Sequence, residues 1–260
     1  MSRGLNWLQG LAGGETLQGF PSSVKVIDGE LGNRAARFIA VVPDPHNPFP
    51  RARNGEVGLL EGWGLAKAVD EAIEADRDGA KRVLVALVDV PSQAYGRREE
   101  ALGIHQALAG AVDAYARARL AGHRVIGLLV GKAMSGAFLA HGYQAQRLIA
   151  LDDSGVMVHA MGKAAAARIT LRSVEELEVL AAKVPPMAYD LANYASLGLL
   201  WERVAVGDAE QPNEADIGRV RECLLRAVED IGASTDLAGR LGAENRAASS
   251  RVREMLRVQW

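Results

Sequence analysis

Two stretches of this chain carry no polar alternation at all. Residues 83–88 read Val-Leu-Val-Ala-Leu-Val and residues 125–130 read Val-Ile-Gly-Leu-Leu-Val. A strand with one wet face alternates apolar and polar side chains, so unbroken runs like these call for cover on both faces. Helices packed on a parallel sheet supply that cover, and parallel strands need crossover connections of about a dozen residues or more. The intervening segments fit. Residues 55–77 place Val57, Leu60, Leu65, Val69 and Ile73 at helical spacing, and residues 101–121 form a second helical stretch. The expected class is α/β, with right-handed crossovers.

The rest of the chain extends this pattern. Residues 24–27 and 35–42 are short apolar runs separated by Asp28, Gly29 and Gly32, which predicts a paired hairpin. Residues 43–50 hold four prolines in eight positions and can only be a loop. A helix is expected over 135–144, then strands over 147–151 and 156–159, parted by Asp152-Asp153-Ser154-Gly155. Helices are expected over 173–183, 187–195, 214–231 and 237–256, with Pro185-Pro186 breaking the first from the second. Ser173 three residues before Glu176 is a capping-box start. The division expected is an arm over 1–22, an α/β domain over 23–200, and a helical segment of the same domain over 201–260. With glycines at 4, 10, 13, 14 and 19, the arm is expected to be loosely ordered, fraying or docking on a partner.

Composition narrows the function classes. Hydrophobic residues make up 49% of the 260, enough for a sizeable core. Thirty Lys plus Arg against 32 Asp plus Glu gives a net charge of −2, without the basic surplus of a general nucleic-acid binder. The single cysteine, Cys223, excludes an internal disulfide framework and a cysteine-rich zinc site, and fits a reducing compartment. No metal site is expected, because His105 and His123 lack a third ligand. Residues 1–14 lack the apolar run of a signal peptide, and the most apolar stretch, 125–140, is interrupted by Lys132. The expectation is a cytoplasmic protein with no membrane and no nucleic-acid partner.

Chemistry is expected where the strand over 125–130 gives way to a helix near Ser135-Gly136. The first turn of a helix has free backbone N–H groups and a favourable potential for negative charge. Gly136 leaves room for a ligand to approach that backbone, or simply packs. The loop over 88–100 ends the neighbouring strand at the same sheet edge, the usual place for ligands in open α/β sheets. Together the two loops could supply a pair of donors, the minimum for an oxyanion hole. The candidates are the backbone N–H groups at Ser135, Gly136 and Ala137 and those of Gln93, Ala94, Tyr95 and Gly96. His159 closes a strand at that edge, as a proton donor or as a structural histidine. Tyr95 is open between proton donor and packing residue. His141, Lys163 and Cys223 are read as structural, solvated and core residues.

Asp89-x-Pro91, Ala94-Tyr95-Gly96, Arg98-Glu99-Glu100 and Gly103 resemble the signature of acyl-CoA carboxyltransferase halves, in the crotonase superfamily. Residues 131–140, with Ser135-Gly136-Ala137, resemble that group's second signature, and 147–160 resemble the strand pair after it. This likeness covers roughly residues 22–200. Over 88–103, 131–142 and 157–161 the chain is also similar to the γ subunits of biotin-independent malonate decarboxylases.

The resemblance implies a crotonase-like (ClpP/crotonase) β/α spiral fold with a helical C-terminal segment. It implies pairing with a homologous β subunit, the active site lying between the two. The substrate implied is a malonyl thioester on the phosphopantetheine-type prosthetic group of an acyl carrier protein, beside an acyl-transferase subunit. This chain would bind no cofactor of its own. Carbon dioxide would leave, and the charge moving onto the thioester oxygen would need fixed donors, each worth about 3 kcal/mol. One departure stands out. Carboxyltransferases commonly carry glycine and alanine after Asp-x-Pro, whereas this chain has Ser92-Gln93, which takes up space. The alternatives are an α-type half of a biotin-dependent acyl-CoA carboxyltransferase, and a scaffold subunit whose chemistry lies in the partner.

Overall fold

The unbroken apolar runs become the centre of the sheet. The computed structural model describes residues 2–260. Its strands are β1 (Val24–Leu31), β2 (Arg34–Val41), β3 (Val83–Val90), β4 (Val125–Met134), β5 (Arg147–Leu151), β6 (Met157–His159) and β7 (Glu202–Val204). They form one sheet in the order β1-β2-β3-β4-β5-β7, with β6 paired to β4. Only the β1–β2 hairpin is antiparallel; every later pairing is parallel. Each residue from Val83 to Val88 is fully buried, as an unalternating strand requires.

Helix α1 spans Arg3–Ala12, α2 spans Leu59–Ala75, α3 spans Arg97–Ala101, α4 spans Ile104–Leu120 and α5 spans Ser135–Ala140. The later helices are α6 (Lys163–Ile169), α7 (Val174–Ala181), α8 (Leu191–Ser196), α9 (Glu214–Ile231) and α10 (Ala247–Gln259). The crossover helices α2 and α4 pack on one another, while α1 lies against β1 to β4 beside α9. No helix among the described residues is long and apolar enough to cross a membrane.

The loose arm expected over residues 1–22 is not what forms; Met1 lies outside the described residues. Residues 3–12 make α1, opened by the Ser2 side chain, which accepts from the Leu5 N–H, and closed by Gly13 at φ 66°. Trp7, Leu8 and Leu11 are essentially fully buried in the main core. The Trp7 indole N–H donates to the Ala209 carbonyl at 2.8 Å. Arg3 adds a polar tie, donating to the Val130 carbonyl at 3.0 Å and pairing with Asp153 at 2.8 Å. The helix therefore covers this chain's own sheet.

Four further boundaries depart from expectation. The 101–121 helix is divided at Gly103, which sits at φ 83°. Strand β4 does not stop at Val130 but runs on to Met134, its second half pairing with β6. Helix α5 ends at Ala140 rather than at 144, since His141 adopts extended backbone. The 237–256 helix is interrupted by turns at Ala238–Arg240 and Glu244–Arg246, and only α10 is α-helical. Strand β7, three residues long, was not expected at all. His141 and Cys223 are buried as read. The His141 imidazole lies 3.1 Å from the Tyr115 hydroxyl and 2.9 Å from the Leu87 carbonyl, and burial pushes its pKa down to about 4. A neutral ring donating through Nε2–H to Leu87 and accepting through Nδ1 from Tyr115 satisfies both contacts.

Candidate active site

The site grows from an irregularity where β3 meets β4. Val88 pairs with Leu129, but Val90 pairs with Ala133, so β4 holds extra residues opposite Asp89. The Asp89 carboxylate accepts from the Lys132 N–H at 3.1 Å. It lies so close over Gly131 that a Cβ there would stand 2.1 Å from its Oδ1. Asp89 and Gly131 thus lock the bulge that re-aims the end of β4.

Beyond the bulge, β4 pairs with β6 in the register Lys132 to Met157, Ala133 to Val158 and Met134 to His159. That register carries Ser135 and Gly136, at the start of α5, to the side of His159. Ser135 sits at φ 61°, a left-handed conformation rare outside glycine. Strain of this kind at a strand-to-helix turn is common at functional sites.

Ser135, Gly136 and His159 line one cavity of about 370 Å³. Its other walls include Phe138, Tyr143, Val158, Pro185, Pro186 and Tyr194, and no carboxylate, ammonium or guanidinium lines it. Ala137 points into the core and is fully buried. The His159 ring stacks on Tyr189 with centroids 3.8 Å apart. Its Nδ1 lies 3.0 Å from the Met161 carbonyl and 3.2 Å from the Met161 N–H. Burial lowers its pKa, partly opposed by backbone groups of Met161 and Met187, so the ring is neutral at neutral pH.

The 93–96 loop is hydrogen-bonded to this turn through Gln93. The Gln93 side-chain oxygen accepts from the Gly136 N–H at 2.6 Å. The Ala94 N–H donates to Val57 and the Tyr95 N–H to Gln93, so these two backbone donors are already used. Ala94 is buried in a small cluster with Ala52, Leu59, Ile104 and Ala107. Tyr95 is exposed, and Glu100 beside its hydroxyl raises the phenol pKa. Gly96 is wedged against Arg51 and Glu99. None of these three lines the cavity. Of the loop donors, the Ala94 and Tyr95 N–H groups are thus engaged elsewhere, while the Gln93 carboxamide is held against the α5 turn.

Sequence reasoning missed the wall built by Tyr143, Pro185, Pro186 and Tyr194. Pro185-Pro186 was legible only as a helix break; nothing local signals that the turn after it folds back over α5. A larger cavity of about 750 Å³ adjoins this one across Ala188, lined by Asp152, Lys163, Glu178 and Asp190 among others. Lys163 pairs there with Glu178 at 2.7 Å. It contains no strand-to-helix turn and none of the expected site residues.

The sheet, its covering helices and the strained turn at its edge make up a crotonase-like (ClpP/crotonase) β/α fold. Solved structures at low identity share it. A transcarboxylase 12S chain superposes with a TM-score of 0.65 at 19% identity, covering 88% of this chain and 41% of that one. The profile of the malonate decarboxylase gamma subunit family matches residues 52–260, and the chain belongs to that family. It is 73% identical to a chain of a Pseudomonas malonate decarboxylase hetero-tetramer in complex with coenzyme A, with a TM-score of 0.97 and full coverage of both chains. It is 71% identical to a chain of a Pseudomonas malonate decarboxylase hetero-dimer, with a TM-score of 0.93 and again full coverage of both. A Malonomonas rubra relative, a malonyl-S-ACP:biotin-protein carboxyltransferase, is 33% identical over 187 residues. That match spans 70% of this chain and 61% of the relative's length.

Proposed function

We propose that this chain, paired with a malonate decarboxylase β subunit, decarboxylates a malonyl thioester to an acetyl thioester. The observation that carries the reading is the Gly136 N–H presented to an oxygen acceptor, 2.6 Å away, beside a cavity with no charged wall residue. The Gln93 oxygen marks where a thioester oxygen would stand. Gln93 is half-buried, so its side chain can rotate aside and yield the donor. As the carbon–carbon bond to the carboxylate breaks, its electron pair delocalises onto the thioester oxygen. A fixed N–H aimed there stabilises that charge without reorganisation. An uncharged, largely apolar wall favours a reaction in which a localised carboxylate charge becomes a dispersed enolate. The neutral His159, its ring fixed by Tyr189 and Met161, shapes the wall and is not the acid in this reading. The substrate arrives on the phosphopantetheine-type arm of an acyl carrier protein, charged by the acyl-transferase subunit of the complex.

The Malonomonas relative favours a second reading, transfer of the carboxyl group to biotin. Against it, Gln93 fills space beside Gly136, and Met134 is buried against Ala166, Leu177 and Tyr189. A purified complex of this chain with its β subunit separates the two. It is expected to release carbon dioxide from malonyl-S-acyl-carrier protein at the same rate with and without excess avidin, while either subunit alone is inactive. Avidin-sensitive turnover would establish the carboxyltransferase instead. Full activity of the β subunit alone would leave this chain a scaffold.

A further inference from the structure

The cavity beside Gly136 has no charge in its wall, yet a buried cation that makes no ion pair lies next to that wall. Tyr143 and Tyr194 form part of that wall. The Arg240 guanidinium sits 4.8 Å from the centre of the Tyr143 ring, and Arg240 is only 7% exposed. Its Nε and Nη1 are buried with no hydrogen-bond partner, and so is the Tyr194 hydroxyl. Arg119 and Arg246, both cations, bear on Arg240, and Arg246 also donates to the Arg240 carbonyl at 2.9 Å. Asp236 faces Arg119 but makes no ion pair with it. Burying a guanidinium without a counter-ion is costly, so such a group persists where its charge has a use. In a low-dielectric surrounding that charge also reaches further than it would in water.

We infer that Arg240 sets the substrate preference of this cavity, favouring a thioester whose acyl group carries a carboxylate over one that does not. The inference rests on the reaction proposed above. Standing behind Tyr143, the guanidinium attracts the malonyl carboxylate through its field. A direct bidentate pair would hold the carboxylate against cleavage; this arrangement does not. Once carbon dioxide has left, the acetyl product is neutral and the attraction is gone. Arg240 is thus a positioning residue that separates substrate from product by charge.

The test uses the complex of this chain with its β subunit, with malonyl- and acetyl-pantetheine as probes. Arg240→Met is expected to raise KM for malonyl-pantetheine roughly tenfold or more, with kcat within about threefold, as loss of one nearby charge predicts. Inhibition by acetyl-pantetheine should stay unchanged. Arg246→Gln, which removes a half-buried neighbouring cation, should move the malonyl KM the same way by about threefold and provides the readout if the Met variant fails to assemble. A malonyl KM unchanged in an active variant would overturn the inference. So would equal weakening of malonyl and acetyl binding, which indicates a change of shape and not of charge. A wild-type complex that releases no carbon dioxide from malonyl-pantetheine would fault the proposed reaction and not this residue.

Discussion

Replacing Gly136 with valine is expected to lower turnover of the assembled complex by roughly two to three powers of ten, the effect of losing one oxyanion donor. A Cβ at this position would stand 2.9 Å from the Gln93 oxygen, the place assigned to the thioester oxygen. The β-branched side chain therefore intrudes where charge develops, while the N–H itself remains. Gly136 is outside the left-handed region, so valine meets no backbone strain there. Melting temperature and β-subunit binding should stay near wild type. Gln93→Ala supplies the contrast: it removes the placeholder and leaves the donor, so turnover should fall far less than in the valine variant. Unchanged turnover in Gly136→Val would mean that this glycine serves packing alone.

Trp7→Ala is expected to destabilise the chain by about 3 to 5 kcal/mol. The indole is fully buried beneath the sheet, and its N–H satisfies the Ala209 carbonyl. Truncation leaves a large void and a carbonyl without its partner, and both terms act in the same direction. For a chain of this size the melting temperature should drop by roughly 8 to 15 °C, read by calorimetry on the purified complex. An unchanged melting temperature would restore the picture of residues 1–22 as a loose arm.

That arm illustrates where sequence reading stops. Leu5, Trp7, Leu8 and Leu11 have helical spacing and Ser2 is an N-cap, but five glycines in the first nineteen residues drew attention to turns instead. Two of them, Gly4 and Gly10, are accommodated inside α1; at Gly10 an added Cβ would stand 2.5 Å from Ile217, whereas at Gly4 it would make only ordinary contact with Asp89. By contrast, β3 and β4 were legible because burial on both faces leaves short unbroken apolar runs, which their length and the helical patterns flanking them mark as strands. The turn at Ser135-Gly136 was legible for the same reason, as the end of such a strand. The bulge at Asp89 was not, since it depends on register between strands, which local spacing does not encode. The Gln93 contact with Gly136 was beyond reach for a related cause. It joins side chain to backbone across 43 residues. Tyr143, Tyr194 and Arg240 come together only through the tertiary path of α8 and the turn before α10, where no motif marks them.

The central claim is that the acyl group loses carbon dioxide to an enolate that is protonated in place. Deuterium labelling tests it most directly. The complex, given malonyl-S-acyl-carrier protein in deuterated water, should return acetyl thioester with one solvent deuteron on each methyl group, because no acceptor other than a proton is at hand. Loss of the carboxyl group to added biotin, with acetyl thioester formed only as biotin is consumed, would contradict it.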